Sequence, residues 1–158
     1  MRNKIFLPCI LSLFLLSTPL LGQMKHGDHT QFPSYTGRVM CGYQGWFRTV
    51  GDGSGRGYKH WGARGLFGDS THCTVDIWPD MSEYDVQYPV DFWFEDGSQA
   101  KVFSSYDYST VDTHFRWMQE SGIDGAFVQR FFNSTNGREV DADPLKVLKN
   151  TLTASQKN

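Results

Sequence analysis

Apolar positions follow two rhythms along this chain. Between 109 and 122, Val111, Phe115, Met118 and Gly122 recur at i, i+4, i+7 and i+11, one stripe of an amphipathic helix. Ser109 or Thr110 can cap its start with a hydroxyl, and Gly122 can close its end in the left-handed conformation. A short, mostly apolar run follows over 125–132 and turns polar at Gln129 and Arg130, the pattern of a buried parallel strand whose end opens onto a site. The run 38–47 is similar: it starts with Val39 and Met40, ends in Tyr43, Gln44, Trp46 and Phe47, and reads as the first strand. A second helix is predicted from Asp143 and Pro144, Asp as the cap and Pro at the first helical position, with Leu145, Leu148 and Leu152 as its stripe.

Between the first strand and the first helix lies a long excursion, 48–100. Glycines at 51, 53, 55 and 57 make its opening a flexible loop. Its register fits neither dinucleotide nor Walker glycine patterns, so phosphate binding is not expected. Residues 73–88 are acidic and aromatic, with a short helix predicted near 79–84 and a hairpin over 91–103 turning at Asp96-Gly97. Strands alternating with helices imply a parallel sheet in an α/β fold. Two strands do not complete such a sheet, so further strands are expected from more of the same chain or from another molecule.

The first 23 of the 158 residues read as a signal peptide: Arg2 and Lys4, an apolar run over 5–16, then a small-residue exit. That run falls short of the ~20 residues of a membrane span. The expectation is therefore an exported protein (periplasmic, surface or extracellular) without a span after cleavage, with a flexible segment over 24–36 and a folded part over 37–158. Export leaves Cys41 and Cys73 able to pair or to stay as two separate buried thiols. No metal or other cofactor is expected, because the histidines and cysteines show no ligand spacing. His26 and His29 fall in the solvated lead-in.

A net charge of −2 without basic stripes argues against nucleic-acid binding. Aromatic residues make up 15 % of the chain, including Trp46, Trp61, Trp78, Trp93 and Trp117. Sugar rings pair apolar faces with hydroxyl edges, so aromatic faces beside polar groups suit a carbohydrate partner; aromatics are also ordinary core material.

Phe103-Ser104-Ser105-Tyr106-Asp107, a helix with His114, then Gly122-Ile123-Asp124 and a strand make a pattern that resembles the glycoside hydrolases of the family 71/99-like group. That group includes the endo-alpha-mannosidases and bacterial proteins labelled xylosidase/arabinosidase. The resemblance spans about 37–132; Tyr108 stands where the family often has Pro, and Gln129-Arg130-Phe131 replaces a Ser-Trp-Tyr ending. It implies that the chain is the first quarter, about two β/α units, of a (β/α)8 TIM barrel, acting on or binding oligo- or polysaccharide. The facing carboxyl pair of a glycosidase is then expected from later strands beyond Asn158, so that this portion alone would be inactive. A non-catalytic glycan-binding protein, or an inactive relic of a truncated gene, is the alternative.

In such barrels the site lies at the C-terminal strand ends. That places Tyr43, Trp46, His60, Trp61, Gln129 and Arg130 in a substrate wall for a neutral oligosaccharide, Trp46 and Trp61 stacking on rings and Gln129 and Arg130 bonding hydroxyls. Gln129 is expected to line the cleft, and Arg130 to sit at its rim or to bond a neighbouring loop. The competing reading has Trp46 and Phe47 plugging the barrel end while Arg130 pairs with a carboxylate. Helix-end hydrogen bonding is expected of Asp107, either ligand contact or local turn bonding of Ser104 and Ser105, a packed role of His114, and a structural role of Asp124.

Overall fold

The computed structural model describes residues 34–131 and 142–158. The expectations for the signal peptide and for the lead-in up to residue 33, and the last residue of the strand expected over 125–132, lie outside the described residues. The order of elements is β1 (Met40–Tyr43), β2 (Tyr88–Trp93), β3 (Gln99–Val102), α1 (Tyr108–Glu120), β4 (Gly125–Val128) and α2 (Ala142–Lys157). The fold is mixed α/β, with two small sheets and two helices among the described residues.

β1 and β4 pair in parallel, Met40 with Gly125 through Tyr43 with Val128. The ladder extends past both ends: the Asp124 amide donates to the Val39 carbonyl at 2.8 Å, and the Gln129 amide to the Tyr43 carbonyl at 2.8 Å. Both strands are shorter than the expected 38–47 and 125–132. Past Tyr43 the chain turns at Gly45, whose φ of 59° a β-carbon would resist. Asp124 is structural as expected, accepting from the Val39 amide at 2.8 Å and pairing with Arg38 at 3.0 Å.

α1 buries Val111, with Phe115 and Met118 packed around a cluster of Tyr43, Val111 and Ala154. Gly122 ends it as expected at φ 73°, its amide bonding the Gln119 carbonyl while the Ile123 amide bonds that of Met118, the paired bonds of a Schellman motif. The start differs. Asp107, not Ser109 or Thr110, occupies the N-cap, and its side chain caps nothing; its carboxylate accepts the Tyr88 hydroxyl at 2.8 Å instead. Burial first, then the nearby Asp52 carboxylate, push the Asp107 carboxyl up, against the hydrogen bond from Tyr88.

α2 is rolled relative to expectation. Val147, Thr151 and Ala154 are its buried stripe, while Leu152 is 57 % exposed. The short Ala154 side chain packs in the small cluster with Tyr43 and Val111, where a leucine would hold the helix away.

The excursion folds around a core that it shares with the end of β3: Trp61, Phe67, Tyr84, Val90 and Ala100 with Val102 and Phe103. The hairpin forms as expected, β2 against β3 antiparallel, with Gly97 at φ 80° in the turn. The helix expected near 79–84 is a single turn, the Tyr84 amide bonding the Met81 carbonyl at 3.2 Å. The glycine loop is pinned by Asp52, which accepts from the Thr49 amide at 3.1 Å, the Ser54 amide at 2.7 Å and the Ser104 hydroxyl at 2.6 Å. Burial pushes the Asp52 carboxyl up, but these bonds outweigh it and hold it below the usual carboxylate range. Cys41 and Cys73 are separate free thiols: the Sγ of Cys41 lies 3.6 Å from the sulfur of Met118, and that of Cys73 lies 3.5 Å from the Val75 carbonyl. No helix among the described residues is long and apolar enough to cross a membrane.

Candidate functional site

Because Tyr43 and Val128 are register partners, the segments after β1 and β4 leave the sheet side by side. Their first side chains meet: Gln44 Nε2 donates to Gln129 Oε1 at 3.3 Å. Around this pair is a cavity of about 230 Å³, its walls drawn from the β1 exit, Lys59 and His60 of the excursion, the β4 exit and the first turns of α2.

Four of the six residues expected at the site line it: Trp46, His60, Gln129 and Arg130. Gln129 keeps its expected place in the cleft. Arg130 is more enclosed than the rim position predicted for it; β4 ends at Val128, so the alternation of strand side chains no longer separates the two residues. Trp46 stacks on Phe131 with ring centroids 4.8 Å apart and leans against His60 at 5.2 Å, giving a row of three rings along one wall. Phe131 is 58 % exposed.

Two expected site residues are core instead. Trp61 is 2 % exposed, packed by Phe47 and Phe103, and its indole N–H donates to the Phe103 carbonyl at 3.0 Å. A buried indole needs such an acceptor, and the end of β3 provides it. Tyr43 is turned toward the helices, its hydroxyl 3.0 Å from His114 Nδ1. His114 is packed and bonded as expected, and burial lowers its pKa to about 4. Ser104 and Ser105 are fully buried, Ser104 serving Asp52 and the Tyr106 amide.

The electrostatics centre on residues that pattern reading missed. Arg48 is 3 % exposed; its Nε donates to Asp143 at 2.6 Å and its Nη1 to the Gly45 and Phe47 carbonyls at 2.9 and 2.7 Å. Asp143, expected as a helix cap, lies inside the first turn of α2 and holds this arginine. Burial, then the neighbouring Lys59 and Arg48 cations, lower His60 below the usual imidazole range, keeping the ring neutral at neutral pH. Gly45 passes so close to α2 that a β-carbon there would lie 2.7 Å from Val147 Cγ1. The only signal for Arg48 was its place immediately after the first strand; its partner is 95 positions away.

Chemically, this wall can present flat rings, two amides and cationic donors to a ligand. Asp143 is the one carboxylate lining it among the described residues. Neither the models of known protein families, nor the curated proteins, nor the solved structures gave a match to this chain.

Proposed function

We propose that this chain is part of an exported protein that acts on or binds oligo- or polysaccharide, with the cavity beyond β1 and β4 as part of its substrate wall. The observation that carries this reading is the row of His60, Trp46 and Phe131 beside the Gln44–Gln129 amide pair, at the C-terminal ends of two parallel strands. Rings receive the apolar faces of a sugar, and amides both donate to and accept from its hydroxyls. Parallel neighbours joined through α1, with α2 following β4, are consistent with two β/α units of a (β/α)8 barrel, the architecture that the resemblance to the family 71/99-like glycoside hydrolases implies.

Glycoside hydrolysis needs two facing carboxyl groups. Asp143 is the single carboxylate lining the cavity among the described residues, and it is held by Arg48. For a hydrolase, the family resemblance implies that the acid and the nucleophile or base come from later strands than the two described. The second reading, a non-catalytic glycan-binding protein, is favoured by that same lone carboxylate.

Calorimetric titration of the full-length protein with an oligosaccharide panel tests the proposal. Trp46→Ala should weaken binding by roughly 1–3 kcal/mol with the fold intact. Unchanged affinity in that variant, or no binding to any glycan, defeats it; turnover of a bound glycan separates hydrolase from binder.

A further inference from the structure

The cavity wall is uneven in charge. Arg48, Lys59 and Arg130 all line it. Arg48 is committed to Asp143 and to two backbone carbonyls. Arg130 is not committed: its Nε and Nη2 are shut off from water, and neither has a hydrogen-bond partner. A guanidinium is a cation, so these are enclosed, charged donors without an acceptor, a costly arrangement that a turn of the side chain into the cavity it lines relieves once an anion is bound there. Its fork of N–H groups matches two oxygens of one anionic group better than a lone hydroxyl. The Asp143 carboxylate, already bonded to Arg48, also lies within 3.9 Å of Arg56.

Beside this donor fork stands the ring row of Trp46 and Phe131. From these neighbours we infer that the cavity takes an acidic saccharide, its carboxylate or sulfate seated on Arg130 and its ring against the aromatic row. The inference rests on the glycan reading and replaces the neutral oligosaccharide expected from sequence. The lowered imidazole of His60, in a wall already crowded with cations, fits a site that attracts negative charge.

The test is calorimetry on the full-length protein with three oligosaccharides of one backbone: a hexuronate form, its carboxyl-reduced form and a sulfated form of the latter. The hexuronate or the sulfated form should bind at least about tenfold more tightly than the reduced form, with the advantage shrinking as salt rises. Which of the two is preferred identifies the anionic group. Arg130→Met should erase the advantage while leaving binding of the reduced form in place, and Arg130→Lys should keep part of it through charge without the fork. Trp46→Ala should weaken all three. Equal affinity for acidic and reduced forms, or a full advantage surviving in folded Arg130→Met, overturns the inference and leaves the glycan reading standing. Binding of free sulfate or glucuronate with no oligosaccharide bound overturns the glycan reading and this inference with it.

Discussion

The hydroxyl of Tyr84 lies 2.7 Å from Nε2 of His114, and through that contact the two cores of the protein are joined. Tyr84 belongs to the aromatic cluster of the excursion, stacked on Phe103 with centroids 4.9 Å apart. His114 projects from α1, and its other nitrogen meets Tyr43 of the second cluster at 3.0 Å. A neutral imidazole has one donor and one acceptor, which matches two hydroxyls that can play either part.

Acid should therefore loosen this joint. Burial sets the folded pKa of His114 at about 4, below the ordinary value of 6.5. Stability from this group is then full above about pH 6.5 and is lost as pH falls toward 4, where the unfolded chain binds the proton first. The loss is on the order of 3 kcal/mol. Denaturant midpoints measured between pH 7.5 and 4 should fall in this window and flatten in His114→Gln; a His114 resonance titrating near 6.5 would contradict the assignment.

Trp46 and Trp61 should behave oppositely. Trp61→Ala removes a fully buried indole and strands the Phe103 carbonyl, at a cost of roughly 3–5 kcal/mol. Trp46→Ala should cost less than about 2 kcal/mol in stability and act on ligand binding. Thermal melts of both variants settle the order; a stable Trp61→Ala protein with weakened glycan affinity would return Trp61 to the site.

Removing the carboxylate in Asp52→Ala frees three donors at once and should destabilise the protein by roughly 2–4 kcal/mol. Hydrogen exchange at the Thr49 and Ser54 amides should rise well beyond that at distant sites. Unaltered exchange there would show that the glycines, not Asp52, shape the loop.

Asp143→Ala leaves Arg48 buried without its counter-charge, although the two carbonyls on Nη1 remain. Roughly 3 kcal/mol of stability should go with it. The double variant Arg48→Met with Asp143→Ala should recover part of the loss, because removing both partners leaves no orphan charge. A double variant no more stable than Asp143→Ala would argue against an orphaned charge as the cause.

What the sequence disclosed was local. The stripe of Val111, Phe115 and Met118, the Gly122 stop and the Asp96-Gly97 turn all depend on neighbours within a few residues, and all are in the structure. The polarity change at Gln44 and at Gln129 marked the exits of β1 and β4, where the two side chains meet. Residues whose role depends on distant partners were hidden. Trp61 and Trp46 look alike in composition, yet one finds an acceptor 42 positions away and is enclosed. The burial stripe of α2 was hidden because leucine is the more hydrophobic residue, whereas the contact with Val111 of α1 selects for smallness at Ala154.

The Arg48–Asp143 pair has a consequence in time as well as in energy. Its partners are 95 positions apart, and the Gln44–Gln129 contact spans 85. Closing loops of that length is slow and becomes favourable only once intervening structure has shortened the search, so the β2–β3 hairpin and α1 should form well before them. The cavity is then a late arrival in folding, and a chain caught part-way would carry an ordered excursion and helix but no cavity between the strand exits and α2.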